Sequence, residues 1–389
     1  MCKPAMKANW NYPTSIRAGA GRICELADCC KQLGMKHPLL ITDPGLARLP
    51  MVEEAIAGCR REGLEAGLFS EIKPNPSGTN VAAGVAVFND GGHDGVIAFG
   101  GGSGLDAAKA VALVARQSLS VFDFEDVGDN WSRADSDAIA PIVAVPTTAG
   151  TGSEVGRASV IVDESAHVKK IIFHPKMLPA IVILDPELTT GLPRSLTAAT
   201  GMDALSHNLE ALCSPLFHPL AEGIGMEGTR LVQQYLPRAV ADGSDIEARM
   251  QMLVASSMGA TAFQRGLGAM HALSHPLGAL YDAHHGTLNA IVMPYVLRAN
   301  ADVIKPVAER LTRYVGLDKT GLDALIDWVL ALRAEIGIPA TLADIGIDTA
   351  RAHEVATMAV ADPTAATNPI NFSVDQYAAI FDNAVNGNL

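Results

Sequence analysis

The run GVIAFGGGSGLDAAKAVALVA at residues 95–115 decides the fold. Residues 95–99 (GVIAF) form an apolar run of strand length, bounded by turn residues. Gly100-Gly101-Gly102-Ser103-Gly104 follows at once, and residues 105–115 continue as an apolar helix. Near-continuous apolar strands belong to parallel sheets that are covered on both faces.

The same pattern repeats on either side. Residues 39–42 (LLIT) make a strand that ends in Asp43-Pro44-Gly45, and residues 52–61 read as a helix. Residues 66–70 are a weaker strand. Asn75-Pro76-Ser77-Gly78-Thr79 is turn chemistry, with Thr79 placed to cap a helix through residue 88. Residues 142–145 (IVAV) form a further strand, ending in Pro146-Thr147-Thr148-Ala149-Gly150-Thr151-Gly152-Ser153. Residues 158–162 and 169–173 predict a hairpin, and residues 182–184 lead to Asp185-Pro186. Alternating strands and helices predict a Rossmann-like parallel α/β domain over residues 1–186. From Pro193 onward the pattern is helical, with helices expected at 197–212, 220–235, 246–262, 322–335, 349–359 and 374–383. Residues 187–389 are therefore expected to form an all-helical domain.

Composition narrows the function class. A chain of 389 residues is long for one core, in keeping with two domains. A net charge of −13 disfavours nucleic acid and anionic membrane as partners. No apolar run is long enough to span a bilayer, and the N-terminal MCKPAMKANWNY lacks the apolar core of a signal peptide. The six cysteines (Cys2, Cys24, Cys29, Cys30, Cys59 and Cys213) form no CxxC pair, so free thiols in a reducing cytoplasm are expected.

In open α/β sheets ligands bind beyond the carboxyl ends of the strands. Three turns lie there: Asp43, the 100–104 run and the 147–153 run. The glycine run is neither GxGxxG nor a P-loop. It reads as a tight strand-to-helix turn or as an anion site, where small residues admit a phosphate to backbone N–H groups at a helix N-terminus. The second loop favours diphosphate binding, since Thr147, Thr148, Thr151 and Ser153 offer hydroxyl donors. Asp43 has two readings: an Asx-turn residue, or an acceptor for a ribose diol that would repel a 2′-phosphate and so favour NAD over NADP.

The helical half carries the metal chemistry. Residues 266–286 (GLGAMHALSHPLGALYDAHHG) hold His271, His275, His284 and His285. His271 and His275 are four apart and share a helix face. Pro276 and Gly278 are expected to bend that helix, and Gly286 to turn the chain sharply beside His285. Upstream, Asp203 and His207 are also four apart on a helix. Asp203, His207, His271 and His285 offer one oxygen and three nitrogens, a set that suits Fe2+, Zn2+ or a similar ion. His275 is read as lining the pocket, His284 has no assigned part, and Phe263 and Tyr281 are pocket candidates by proximity. No HExxH occurs, so a zinc protease lacks its motif.

Together these segments closely resemble the iron-containing (group III) alcohol dehydrogenase family. The matching stretches are 100–109 (GGGSGLDAAK), 146–155 (PTTAGTGSEV), 201–212 (GMDALSHNLEAL) and 266–286, with smaller echoes at Thr42-Asp43-Pro44-Gly45, Pro74-Asn75-Pro76 and Thr367-Asn368-Pro369. The resemblance covers essentially the whole chain. It implies a dinucleotide-binding α/β domain and a helical domain with the active site in the cleft between them. It implies a divalent metal, Fe2+ or Zn2+, on Asp203, His207, His271 and His285, with His275 in the substrate pocket as the catalytic side chain. It further implies NAD-binding positions at Asp43, Asn75, Gly101, Gly102, Ser103, Asp106, Thr147, Thr148, Thr151, Ser153, Val155, Lys169 and Leu188. The activity implied is hydride transfer between a small, primary alcohol and NAD, in a homodimer or larger assembly. Maleylacetate reductase and a dehydroquinate synthase-like lyase are the rivals on the same fold. The acidic segment 123–137 (DFEDVGDNWSRADSD) is read as a solvated loop.

Overall fold

The computed structural model describes residues 14–166 and 168–389; the N-terminal stretch with Cys2 lies outside them. The chain divides into two compact units between Thr190 and Gly191.

The first unit is built on β1 (Ser15–Ala18), α1 (Leu26–Gln32), β2 (Pro38–Ile41), α2 (Pro50–Arg61), β3 (Gly67–Phe69), α3 (Gly78–Asp90), β4 (Gly95–Gly100), α4 (Gly102–Val114), β5 (Ile142–Pro146), β6 (Ala158–Asp163), β7 (Val168–Phe173) and β8 (Ile181–Leu184). Six strands form one sheet in the order β1-β8-β5-β4-β2-β3, every neighbouring pair parallel. Strands β2, β4, β5 and β8 are buried along their whole length, which their unbroken apolar sequences require. The expected hairpin is the antiparallel pair β6–β7.

Two elements depart from the reading of the sequence. The sheet gains an edge strand, β1, paired to β8 in register Ser15 to Ile181. The acidic segment 123–137 is more than a solvated loop. Its Asp126 N–H donates to Ile171 O at 2.8 Å, Arg133 reaches Asp123 at 3.2 Å, and Trp131 packs edge-on to His174.

The second unit is helical: α5 (Arg194–Cys213), α6 (Pro219–Ala241), α7 (Ile246–Ala262), α8 (Ala269–Tyr281), α9 (His285–Ala299), α10 (Ala301–Tyr314), α11 (Leu322–Ile336), α12 (Ala352–Ala361) and α13 (Val374–Asn386). No helix among the described residues is long and apolar enough to cross a membrane. Helix α5 is its axis, packed against α6, α7 and α9 and buried almost all round. That accounts for its small side chains and makes its two buried acids, Asp203 and Glu210, conspicuous.

The turn after the histidine pair differs from expectation. Helix α8 runs through Pro276 to Tyr281, and the chain reverses at Asp282, a non-glycine residue with φ 51°. Packing of α8 on α9 and α12 holds the helix past its proline. Gly286 is not at the turn. It lies in the first turn of α9, where a Cβ would stand 2.2 Å from Ala199 O of α5. Its glycine serves the close approach of two helices and not a backbone reversal. The segment read as a helix over 349–359 opens as the 3₁₀ turn Thr349–Arg351 before α12.

Candidate metal centre and dinucleotide loops

Helices α5, α8 and α9 bring the acid and three imidazoles together. Asp203 Oδ1 lies 4.0 Å from His207 Nε2, 4.0 Å from His271 Nε2 and 3.5 Å from His285 Nε2. Asp203, His207 and His271 form a group whose donor atoms all lie within 4.8 Å of one another, and all three are buried. His285 meets Asp203 but stands outside that tightest group, with a third of its side chain exposed.

The donor set fits a divalent cation. An ion bound at about 2.0–2.2 Å from each atom holds its ligands within about 4 Å of one another, the scale of the three distances to Asp203. A further observation points to the same place. The amide nitrogen of Asn289 donates to Asp203 Oδ1 at 2.9 Å and faces His285 Nε2 at 3.1 Å and His271 Nε2 at 3.3 Å. The carboxylate oxygen and two imidazole nitrogens thus converge on one amide nitrogen. Burial alone would raise the Asp203 pKa, but the surrounding imidazoles and Asn289 outweigh it and hold the carboxyl down to about 2.

The helix positions are set by polar contacts that spacing does not reveal. Glu210, buried on α5, accepts the Met270 N–H at 2.6 Å and the His271 Nδ1–H at 2.6 Å. It therefore supplies an acceptor and a negative charge to the N-terminus of α8 while holding one nitrogen of His271. A carboxylate on Nδ1 leaves the Nε2 lone pair for an ion, the usual arrangement of a metal-binding histidine. Asn368 completes the cap: its Oδ1 accepts the Ala269 N–H at 3.1 Å and an Asn300 N–H at 3.1 Å. A Cβ on Gly268 would fall 2.8 Å from that oxygen, so the glycine lets the cap close. The late Thr367-Asn368-Pro369 echo thus has a local purpose.

His275, one turn beyond His271, bonds through Nδ1 to Asp362 Oδ2 at 2.8 Å and stacks on the His285 ring. Of the two pocket candidates, Phe263 meets the His207 ring edge-on at 5.2 Å. Tyr281 lies under the Arg351 guanidinium. His284 is exposed and stands at the N-cap of α9. Glu210, Asn289 and Asp362 all escaped the reading of the sequence. The signal available for Glu210 was an acid one helical turn beyond His207 in an otherwise apolar run.

In the first unit, the two loops at the ends of β4 and β5 adjoin. Helix α4 starts at Gly102 without a side-chain cap, and a Cβ on Gly102 would lie 2.6 Å from the Thr151 side chain. Gly101 likewise faces Thr148. An uncapped helix start packed against threonine hydroxyls is an arrangement suited to a phosphate. Beneath it, Asp106 accepts from Ser153 Oγ at 2.5 Å and Val160 N at 3.0 Å. The buried Lys109 ties Asp106 to the carbonyls of Ser153 and Ala158. The Asp106 carboxylate and the Ser153 hydroxyl are thus bonded to each other and hold the loop. Thr147 is pinned through its N–H to Gly100 O at 2.9 Å. Asp43 makes the Asx turn, accepting from Gly45 N at 2.8 Å and Leu46 N at 3.0 Å. Asn75, in the left-handed region, accepts from Lys169 Nζ at 2.8 Å. Val155 is buried behind the second loop, and Leu188 belongs to the apolar core.

Comparison with known proteins gives the same division of the chain. Residues 13–186 match the model of the iron-containing alcohol dehydrogenase family, and residues 197–385 match the family's C-terminal model. A 4-hydroxybutyrate dehydrogenase of Cupriavidus necator is 38% identical over 385 residues, covering 96% of this chain and 99% of that protein. A crystal structure of a 1,3-propanediol oxidoreductase superposes with a TM-score of 0.92 at 35% identity, over 97% of this chain and 100% of the other. A sulfoacetaldehyde reductase of Bifidobacterium kashiwanohense, solved in complex with NAD+, superposes with a TM-score of 0.88 at 29% identity, over 97% and 99%. With both halves matched and a near full-length relative at this identity, the chain belongs to the iron-containing alcohol dehydrogenase family.

Proposed function

We propose that the protein interconverts small primary alcohols and their aldehydes, with NAD as hydride carrier and a divalent ion held by Asp203, His207, His271 and His285. The observation that carries this reading is the convergence of three imidazole nitrogens on the buried Asp203 carboxylate. When bound, the ion supplies Lewis acidity that lowers the pKa of the alcohol, and the nicotinamide supplies the hydride acceptor. Fe2+ is the first choice of ion and Zn2+ the second, since both accept this mixed nitrogen and oxygen set.

The chain's own residues do the positioning. Glu210 and Asn368 fix the start of α8, and with it the ring of His271. The cofactor-binding part falls to residues 1–186, where Gly101, Gly102 and Ser103 open α4, Thr147, Thr148 and Thr151 line the second loop, and Asn75 and Lys169 stand together. Asp106, Ser153, Val155 and Leu188 serve as their support. Asp43 favours NAD over NADP by charge. The metal-binding part falls to residues 187–389, with His275 beside the ligands for the substrate.

The relatives named above are all oxidoreductases by name, which favours redox chemistry over a dehydroquinate synthase-like lyase. Their named substrates (4-hydroxybutyrate, 1,3-propanediol and sulfoacetaldehyde) all react at a terminal carbon, which supports a primary alcohol. The reading places the protein in the cytoplasm as a homodimer or larger assembly, and light scattering of the purified protein decides the assembly.

Protein loaded with Fe2+ or Zn2+ is expected to reduce NAD+ with a panel of short primary alcohols, read as NADH absorbance. No turnover across that panel and the matching aldehydes, with metal loading confirmed, overturns the reading. His271→Ala is expected to lose the metal and His275→Ala to keep it. Full occupancy in both variants would show the ligand assignment to be wrong.

A further inference from the structure

His275 is four residues from His271 on α8, yet its surroundings equip it for another task. Its Nδ1 is 2.8 Å from Asp362 Oδ2, and its ring lies nearly parallel to that of His285, with centroids 5.5 Å apart. Asp362 comes from outside α8. It follows α12 and starts the 3₁₀ turn Pro363–Thr367. Its other oxygen, Oδ1, accepts the Thr364 N–H at 2.9 Å and the Thr364 Oγ–H at 2.6 Å. Both carboxylate oxygens are therefore committed, and the turn fixes their direction. The Asp362 side chain is 12% exposed and that of His275 is 24% exposed, so the acid is sheltered while the imidazole reaches solvent.

An ionised carboxylate only accepts hydrogen bonds, so the contact requires the proton on Nδ1. The lone pair of neutral His275 is then on Nε2.

We propose that Asp362 is a positioning residue that fixes His275 as the Nδ1–H tautomer, so that Nε2 takes the alcohol proton; this rests on the alcohol dehydrogenase reading. In the oxidation direction the alcohol O–H bond breaks and its proton forms an N–H bond on Nε2. The carbinol C–H bond breaks as a hydride to the nicotinamide of NAD+, and the oxygen's electron pair becomes the second bond of the carbonyl. The alcohol is oxidised, NAD+ is reduced, and the partly exposed His275 returns the proton to water. Reduction of an aldehyde runs through the same groups in reverse.

The decisive variant is Asp362→Asn. The Thr364 N–H requires an acceptor, which keeps the amide oxygen on that side and turns the amide NH2 toward His275 Nδ1. The ring must then put its proton on Nε2, the wrong tautomer for a base. Asp362→Ala removes both bonds and disturbs the turn more, yet leaves the ring free to adopt either tautomer. The expected order of kcat for primary-alcohol oxidation is wild type above Asp362→Ala above Asp362→Asn. Asp362→Asn is expected to fall by about 10²-fold or more, the usual size of a general-base effect. Its alcohol KM and zinc content are expected to stay within about threefold of wild type, an order-of-magnitude allowance. The double variant with His275→Ala is expected to be no slower than His275→Ala alone. Nitrogen NMR of the zinc-loaded, 15N-histidine-labelled protein, with His275→Ala for assignment, is expected to show Nδ1–H in the wild type and Nε2–H in Asp362→Asn.

A purely structural Asp362 predicts that Asp362→Ala is the slower variant, and that order overturns the proposal. So does an unchanged tautomer, or a kcat for Asp362→Asn equal to wild type. A wild-type protein that turns over no alcohol refutes the functional reading instead, while the nitrogen spectra still decide whether Asp362 sets the tautomer.

Discussion

Replacing Glu210 by glutamine changes one buried atom and tests whether α8 is wired for metal. In the wild type, one carboxylate oxygen accepts the Met270 N–H and the other accepts the His271 Nδ1–H, both at 2.6 Å. Glutamine keeps one acceptor and gains one donor. Without metal the variant can keep both contacts of residue 210: the amide oxygen stays on Met270, the amide NH2 faces Nδ1, and the histidine moves its proton to Nε2. Metal binding removes that solution, because Nε2 must then present a lone pair. Either the amide NH2 faces the Nδ1–H, or the amide flips and leaves the Met270 N–H without its acceptor. One buried donor is left unsatisfied, at about 1–3 kcal/mol. That corresponds to a loss of about fivefold to 150-fold in affinity, bracketing the about 10- to 100-fold usual for such partners. Competition with a chromophoric chelator measures the zinc affinity, and thermal unfolding of the metal-free protein measures the fold. The signature is weakened zinc with metal-free stability down by no more than about 1 kcal/mol, the cost of removing a charge at a helix N-terminus. A zinc affinity within twofold of wild type would refute the argument.

Two other substitutions probe the frame. Gly286→Ala places a Cβ 2.2 Å from Ala199 O, so α9 must retreat from α5; unfolding is expected to be easier by about 1–3 kcal/mol, and zinc affinity should fall with it because His285 and Asp203 ride on those helices. Wild-type unfolding and zinc binding in that variant would contradict the packing described. Asp43→Ala removes the carboxylate at the end of β2 and the acceptor of its Asx turn. The ratio of kcat/KM for NAD+ over NADP+ is expected to drop by about tenfold or more, equivalent to ~1.4 kcal/mol, and an unchanged ratio would leave Asp43 only its turn.

The sequence made some elements plain and hid others for physical reasons. Strands β2, β4, β5 and β8 stand out because a strand buried on both faces needs apolar residues throughout. Strand β1 does not, because its SIRA sequence at the sheet edge is largely exposed and carries no apolar run. Helices α9 and α10 were missed for opposite reasons: α9 is apolar on nearly every face, with Pro294 inside it, while α10 is polar and interrupted by Pro306. The reversal after α8 escaped because it rests on Asp282 in the left-handed region, where a glycine would have signalled a turn.

At the site, the same contrast explains why ligands were legible and their partners were not. Spacing of four on a helix states which side chains share a face, so Asp203 with His207 and His271 with His275 could be read locally. It does not state what each imidazole does. His271 and His275 share one face of one helix, and each has a carboxylate on Nδ1, yet the acids lie 61 and 87 residues away in sequence, on opposite sides of α8 in chain order. Glu210 belongs to the same buried helix as Asp203 and His207, so its bond binds His271 into the metal centre. Asp362 belongs to a turn at the end of α12, so its bond ties His275 to a more exposed element instead. Two histidines equivalent by periodicity are thus made different by the origin of their acids. That difference is long-range, and no local pattern in residues 266–286 contains it.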